Sequence, residues 1–384
     1  MHRSAVIILL CILFCLVSVR INAQPDTLFP SDKEASKQTI ALYRNLHKLK
    51  KKGFMFGHQD DLAYGVNWRY QEGRSDVKEV TGDYPAVYGW DLSGLEQKSD
   101  NNIDGVPFKK MRQYIKEGYG RGGIITLSWH FHSPSGALKG AWDTTHGTVS
   151  SILPGGANHE LFKEWLDDGA KFIASLKGTS GEAIPILFRP LHELTGSWFW
   201  WGKNECSADE FQTLYRFIVY YLQHEKKLHS LLWVYNTSDN FTTKNEFLDR
   251  YPGDDVIDML SFDAYQYQDP TKNDFFIKNT NSLLKTICEI GEQKHKLTAL
   301  GETGYEAIPY KDWWTQTLLP AIGSNKISYV LLWRNHGLTS WDNPPKMHYY
   351  VPYKGQLSQT DFINFYNLDK TLFEKEAAAE NLYQ

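Results

Sequence analysis

The chain has 384 residues, 42% hydrophobic and 22% charged, a balance that supports a sizeable core in one large domain or two ordinary ones. Its formal net charge of -4 provides no basic stripe and argues against nucleic acid as a partner. Aromatic residues are the unusual component, at 13 Trp, 22 Tyr and 20 Phe; those not needed in the core suit a cleft that stacks on flat apolar ligand faces.

In chain order, Met1-His2-Arg3 is a short positive start, followed by an apolar run over 5–19 and a small residue, Ala23, suited to cleavage before Gln24. Residues 1–23 therefore read as a signal peptide, which places the mature protein in the periplasm or outside the cell. Cys11 and Cys15 lie within that run; Ile12-Leu13-Phe14 ahead of Cys15 is wrong for a lipoprotein signal. No later stretch is apolar enough to span a bilayer, so no membrane span is expected. Cys206 and Cys288 are left in the mature chain, and two free thiols are expected, although export permits a disulfide. At the other end, residues 377–384 (AAAENLYQ) resemble a tag linker and are set apart from the fold.

No repeat, long Pro/Ser linker or low-complexity stretch divides what remains, so residues 24–376 read as one domain. Short β-rich apolar runs at 53–57, 86–90, 123–129, 184–189, 231–235, 257–262, 297–300 and 327–333 predict eight strands. Helical spacing alternates with them. Ser31 or Asp32 would cap a helix running through Lys52, with Glu34 three residues after Ser31. Further helices are expected over 107–118, 159–176, from a capping box at 207–210, over 275–290 and over 312–322. Eight strands alternating with helices predict an α/β (β/α)8 TIM barrel. A doubly wound sheet would want a Gly-rich turn after the first strand, and Gly57-His58-Gln59 is not one.

Barrel active sites sit at the C-terminal ends of the strands. The ends here read His58, Trp90-Asp91, Trp129-His130, His192-Glu193, Tyr235-Asn236, Asp263, Glu302 and Trp333-Arg334. Any one of these residues alone is explained by an N-cap or a surface carboxylate; all eight polar or aromatic ends together are not. Glu193 follows strand four and Glu302 follows strand seven. Paired carboxylates across one mouth are what glycosidic bond cleavage needs, one to protonate the departing oxygen and one to attack carbon or activate water. Burial against Trp198, Phe199, Trp200 and Trp201 would keep Glu193 protonated, while Arg334 or a tyrosine hydroxyl would keep Glu302 ionised.

Arg189-Pro190-Leu191-His192-Glu193, followed by Gly196-Ser197-Trp198-Phe199-Trp200-Trp201, resembles the acid/base signature of glycoside hydrolase family 26. Leu300-Gly301-Glu302-Thr303-Gly304 resembles its nucleophile motif, and Trp129-His130, Phe262-Asp263-Ala264-Tyr265 and Trp333-Arg334 follow in order. The resemblance spans nearly all of the mature chain. It implies a retaining endo-β-1,4-mannanase on a (β/α)8 barrel, with Glu193 as acid/base and Glu302 as nucleophile. It further implies that His192 contacts the −1 sugar or the nucleophile and that Tyr265 orients Glu302. Trp198 would stack on the +1 sugar, Trp333 would floor the −1 site and Arg334 would reach the −2 sugar. His130 would contact the −1 sugar or its neighbours, and Asp263 would brace the −1/−2 region. The implied partner is β-mannan polysaccharide or mannooligosaccharide, bound by a monomer. Mixed-linkage β-glucan and β-1,3-xylan remain alternative substrates, and insertions at 133–158 and 335–355 leave endo and exo action both open.

Other chemistries find less support. His58, His130, His132 and His192 are scattered and no HExxH or CxxC occurs, so no metal or cofactor is expected. No G-x-S-x-G elbow is present. Asn236-Thr237-Ser238 and Asn240-Phe241-Thr242 match glycosylation acceptors, a pattern common by chance. The rival of a different class, a carbohydrate-binding protein without catalysis, is disfavoured because both glutamates are present.

Overall fold

Residues of both parities along each strand are apolar, so each strand must be covered on both faces, as in a closed barrel ringed by helices. The structure, a computed structural model, has this form and describes residues 28–136 and 140–384. The signal peptide expected over 1–23 lies outside the described residues.

The eight barrel strands are β1 (Phe54–Gln59), β2 (Val87–Asp91), β3 (Ile124–Trp129), β4 (Ile186–Pro190), β5 (Leu231–Ser238), β6 (Met259–Gln266), β7 (Leu297–Tyr305) and β8 (Tyr329–Leu332). Each pairs in parallel with the next, and β1 closes on β8 from Met55 opposite Tyr329 to His58 opposite Leu332. Around them lie the helices α1 (Lys37–Leu49), α2 (Asp76–Thr81), α3 (Phe108–Gly120), α4 (Thr148–Ile152), α5 (His159–Ala174), α6 (Ala208–Tyr220), α7 (Lys244–Leu248), α8 (Phe275–Lys294), α9 (Leu319–Ile322), α10 (Gln359–Tyr366) and α11 (Glu374–Ala379). Two short hairpins, Tyr64–Gly65 with Trp68–Arg69 and Gly337–Leu338 with Met347–His348, sit beyond β1 and β8.

Strand alternation creates two separate apolar bodies. Phe54, Phe56, Trp90, Trp129, Phe188, Trp233 and Leu332 belong to the shell between strands and helices. Met55, Val87, Leu187, Leu232, Val234, Met259, Ala299 and Leu331 belong to a second cluster inside the barrel, joined there by Leu42, Tyr43, Leu46 and Leu49 of α1. Helix α1 is thus the plug of the N-terminal end, with side chains at helical spacing buried together. Above this floor the inward positions turn polar: Arg189, Asn236, Ser261, Asp263 and Glu302 are all buried.

Several boundaries differ from the sequence reading. The α1 cap is Ser36, whose hydroxyl accepts from the Thr39 amide at 3.2 Å. Ser31 and Asp32 are instead drawn away, Ser31 donating to Asp258 at 2.6 Å and Asp32 pairing with His229 at 2.9 Å. The segment 377–384, expected to stand apart, packs on the barrel: Ala377 and Leu382 are buried, and the Tyr383 hydroxyl donates to the Gly123 carbonyl at 2.8 Å. Apolar and hydrogen-bonding side chains in that segment give it something to bury. Cys206 and Cys288 are both free.

Candidate active site

The two glutamates arrive at the mouth by different backbone devices. After β4 the chain turns through Leu191 (φ 55°) and Glu193 (φ 52°), both in the left-handed region that costs a non-glycine residue of order 1–3 kcal/mol. That turn points Glu193 over the opening, half-buried, where the Trp198 indole donates to its Oε2 at 2.6 Å. Glu302 is carried by a β-bulge. Phe262 of β6 pairs with Leu300, and the next residue, Asp263, pairs with Glu302, so Gly301 is the extra residue in β7. A Cβ at Gly301 would lie 2.2 Å from Asn236 Oδ1 and 2.6 Å from Asp263 Oδ1, so no side chain fits.

Glu302 is buried and fully engaged. Arg189 Nη2 donates to its Oε1 at 2.6 Å and the Tyr265 hydroxyl donates to its Oε2 at 2.8 Å. Both bonds fix the orientation of the carboxylate. Arg189 also lies 3.6 Å from Asp263, which accepts from the Asn236 amide at 2.7 Å. Asp263, expected to brace the −1/−2 region, has a fully buried side chain and lies against Arg189. Asn236, the first candidate glycosylation site, is buried in the same network and closed to modification.

Oxygens of Glu193, Asp263 and Glu302 lie within 4.8 Å of one another. Three carboxylates so placed are able to hold a cation, but the Arg189 guanidinium already supplies positive charge to two of them. Burial and then the charge of Glu302 push the Glu193 carboxyl up to about 7, against the Trp198 hydrogen bond, which pulls it down. One carboxyl therefore stays protonated near neutrality beside a second that is held by two donors, the division of labour that acid-assisted displacement requires.

A histidine pair completes that wall. His130 Nδ1 lies 2.8 Å from Asp91 Oδ2, and its Nε2 lies 3.1 Å from His192 Nε2. Burial works against a charged His130, but Asp91 outweighs it and raises the His130 pKa. Burial, with the charges of His130 and Arg189, drives His192 well below the usual histidine range. The opposed shifts make His130 the more readily protonated of the two, which suits it as donor and His192 as acceptor.

The opposite end of the mouth is set by β8. Trp333 and Arg334 are half-buried; Arg334 pairs with Asp104 at 3.1 Å, its guanidinium 5.9 Å from the Trp333 ring and 5.4 Å from the Trp341 ring. Trp198 is 40% exposed, Trp142 46% and Trp341 55%, so aromatic faces are open at both ends. All nine residues singled out from the sequence thus gather around one opening, with Asp263 beneath it. Arg189, Asp91 and Asn236 were named in the sequence reading without a role at the site, and Asp104 was not named. Arg189 had a signal: an arginine two residues after Leu187 shares its inward face, and a buried charge demands partners.

Comparison with known proteins follows the same outline. Residues 31–333 match the sequence pattern of a family described as glycosyl hydrolase family 26. A mannan endo-1,4-beta-mannosidase of Bifidobacterium adolescentis is 34% identical over 359 residues, covering 89% of this chain and 35% of that protein. One from Thermothelomyces thermophilus is 28% identical over 292 residues, covering 73% of this chain and 53% of that protein. The chain thus spans about a third and about half of the length of these relatives. Among solved structures, a family 26 beta-mannanase from Bacteroides ovatus is 43% identical with a TM-score of 0.84, covering 91% of this chain and 98% of that chain.

Proposed function

Because the chain belongs to glycosyl hydrolase family 26, we propose that it hydrolyses internal β-1,4-mannosidic bonds by double displacement, with Glu302 as nucleophile and Glu193 as acid/base. The observation that carries this reading is the approach of Glu193 and Glu302 oxygens to within 4.8 Å. Retaining enzymes space their carboxyl groups by roughly 5–5.5 Å, and inverting ones by roughly 6.5–9.5 Å to admit a water.

In the first step Glu302 Oε attacks the anomeric carbon while the glycosidic bond breaks and the Glu193 proton passes to the leaving oxygen. Arg189 and Tyr265 hold the attacking carboxylate in line. Once Glu302 is esterified its charge is gone, so the charge that raised Glu193 is gone too. Glu193 then ionises more readily and serves as base for the incoming water. Trp333 is proposed as the floor of the −1 site, Arg334 with Asp104 as the −2 contact, and Trp198 as the +1 platform. His192, with His130 behind it, is proposed to contact the −1 sugar. The mannan preference rests on the names of the similar proteins. Export through residues 1–23 is part of the same proposal.

The test is proton NMR of the reducing sugar first released from mannohexaose or galactomannan. The expected product is the β-anomer, with Glu302→Ala inactive on every substrate. Release of the α-anomer first, or a fully active Glu302→Ala, would refute the assignment.

A further inference from the structure

Glu193 and Glu302 rise from β4 and β7, on opposite walls of the ring. A glycan passing between them must leave the mouth over the intervening strands on either side. One exit, over β8, β1, β2 and β3, holds Arg334 and Asp104. The other lies over β5 and β6, and no sugar contact has been placed there beyond the Glu302 network. There the loops after β5 and β6 and the start of α8 enclose a cavity of about 100 Å³, lined among others by Asp239, Tyr265, Tyr267, Asn273, Phe275 and Asn279. Tyr265 both lines this cavity and bonds Glu302, so the two spaces share a wall. Tyr267 is 84% exposed and Phe275 62% exposed, two bare aromatic faces at one opening. The Tyr265 and Tyr267 rings stand 6.4 Å apart at a 40° tilt, which carries the aromatic surface outward from the nucleophile. Among the described residues the Asp239 carboxylate accepts from its own backbone amide alone, which leaves it able to accept from a ligand hydroxyl.

We propose that this cavity is a sugar site on the leaving-group side, beyond Trp198, in which one pyranose of the same glycan stacks on Tyr267 and hydrogen-bonds Asp239. Aromatic faces with a carboxylate and amides at the edge are the recognition chemistry of a pyranose, apolar on its faces and hydroxylated around its rim. The proposal rests on the mannanase reading and adds to it a determinant of where a chain is cut. With the β8 end filled and this site filled, a bound oligomer is held on both sides of the scissile bond.

The experiment compares kcat/KM on mannopentaose with that on an aryl β-mannobioside, whose leaving group carries no sugar to reach this site. Tyr267→Ala is expected to lower the ratio of the two about tenfold, the loss of one stacking contact, and Tyr267→Phe to keep it within about twofold. Tyr267→Ala should also shift the position of cleavage in mannopentaose. A Tyr267→Ala ratio within about twofold of wild type, with an unchanged product pattern, overturns the site while leaving the mannanase reading intact. Wild-type protein that cuts neither substrate overturns both.

Discussion

Gly301→Ala is a one-carbon test of the site. The added Cβ would sit 2.2 Å from Asn236 Oδ1 and 2.6 Å from Asp263 Oδ1, where real Cβ contacts begin near 3.0 Å. A displacement of about 0.8 Å or more must therefore be found, either in Asn236 and Asp263 or in β7 itself. The two side chains are poor at yielding. Asn236 accepts from Ser261 and donates to Asp263, and Asp263 lies against Arg189, the donor to Glu302. Movement on either side thus reaches Glu302, the proposed nucleophile. A misplacement near 1 Å costs on the order of a hundredfold in rate, or about 2.7 kcal/mol of barrier. The assay is kcat on a dinitrophenyl β-mannobioside, whose departure needs no acid, so a loss there is a fault in attack. Circular dichroism and Tm separate this loss from unfolding. Wild-type kcat in a folded Gly301→Ala protein would refute the claim that the bulge sets the working position of Glu302.

Other expectations follow from the same geometry. Glu193→Ala should abolish cleavage of mannan yet retain formation of the glycosyl-enzyme from dinitrophenyl substrates, seen as a pre-steady-state burst; equal loss on both substrates would argue against an acid/base role. In wild type the acid form of Glu193 prevails below about 7, so kcat/KM on mannooligosaccharides should fall as pH rises through that value. Trp198→Phe removes the hydrogen bond that favours the carboxylate, and that alkaline limb should move upward; a downward move would contradict the assigned bond. Leu42→Ala opens a cavity in the barrel floor and should cost about 2–5 kcal/mol in denaturant unfolding, with kcat at 25 °C retained.

The alternation of β-rich runs with helical segments was readable because both barrel faces demand apolar side chains, and the strand ends then announced the mouth. The strands themselves run farther than that pattern. β5 continues to Ser238, β6 to Gln266 and β7 to Tyr305, three to five residues past the apolar runs ending at 235, 262 and 300. The extra residues include Asn236, Asp263 and Glu302, buried through hydrogen bonds and ion pairs rather than by hydrophobicity, so hydropathy stops short of them. Arg189 and Glu302 are 113 positions apart, and only ring closure makes them partners. The Ser36 cap escaped because Ser31 offered the same local pattern, and its diversion to Asp258 is a long-range contact.

The division of the barrel into an apolar floor and a polar mouth has a consequence for how such a protein is altered. Helix α1 and the lower strand positions secure the scaffold without contributing an atom to the opening, and the loops beyond β2, β5, β6 and β8 contribute to the opening while leaving that floor untouched. Loop exchange at the upper rim therefore changes the lining of the opening at little thermodynamic risk. Randomising the lower end gains no new selectivity and forfeits the platform on which any selectivity is built.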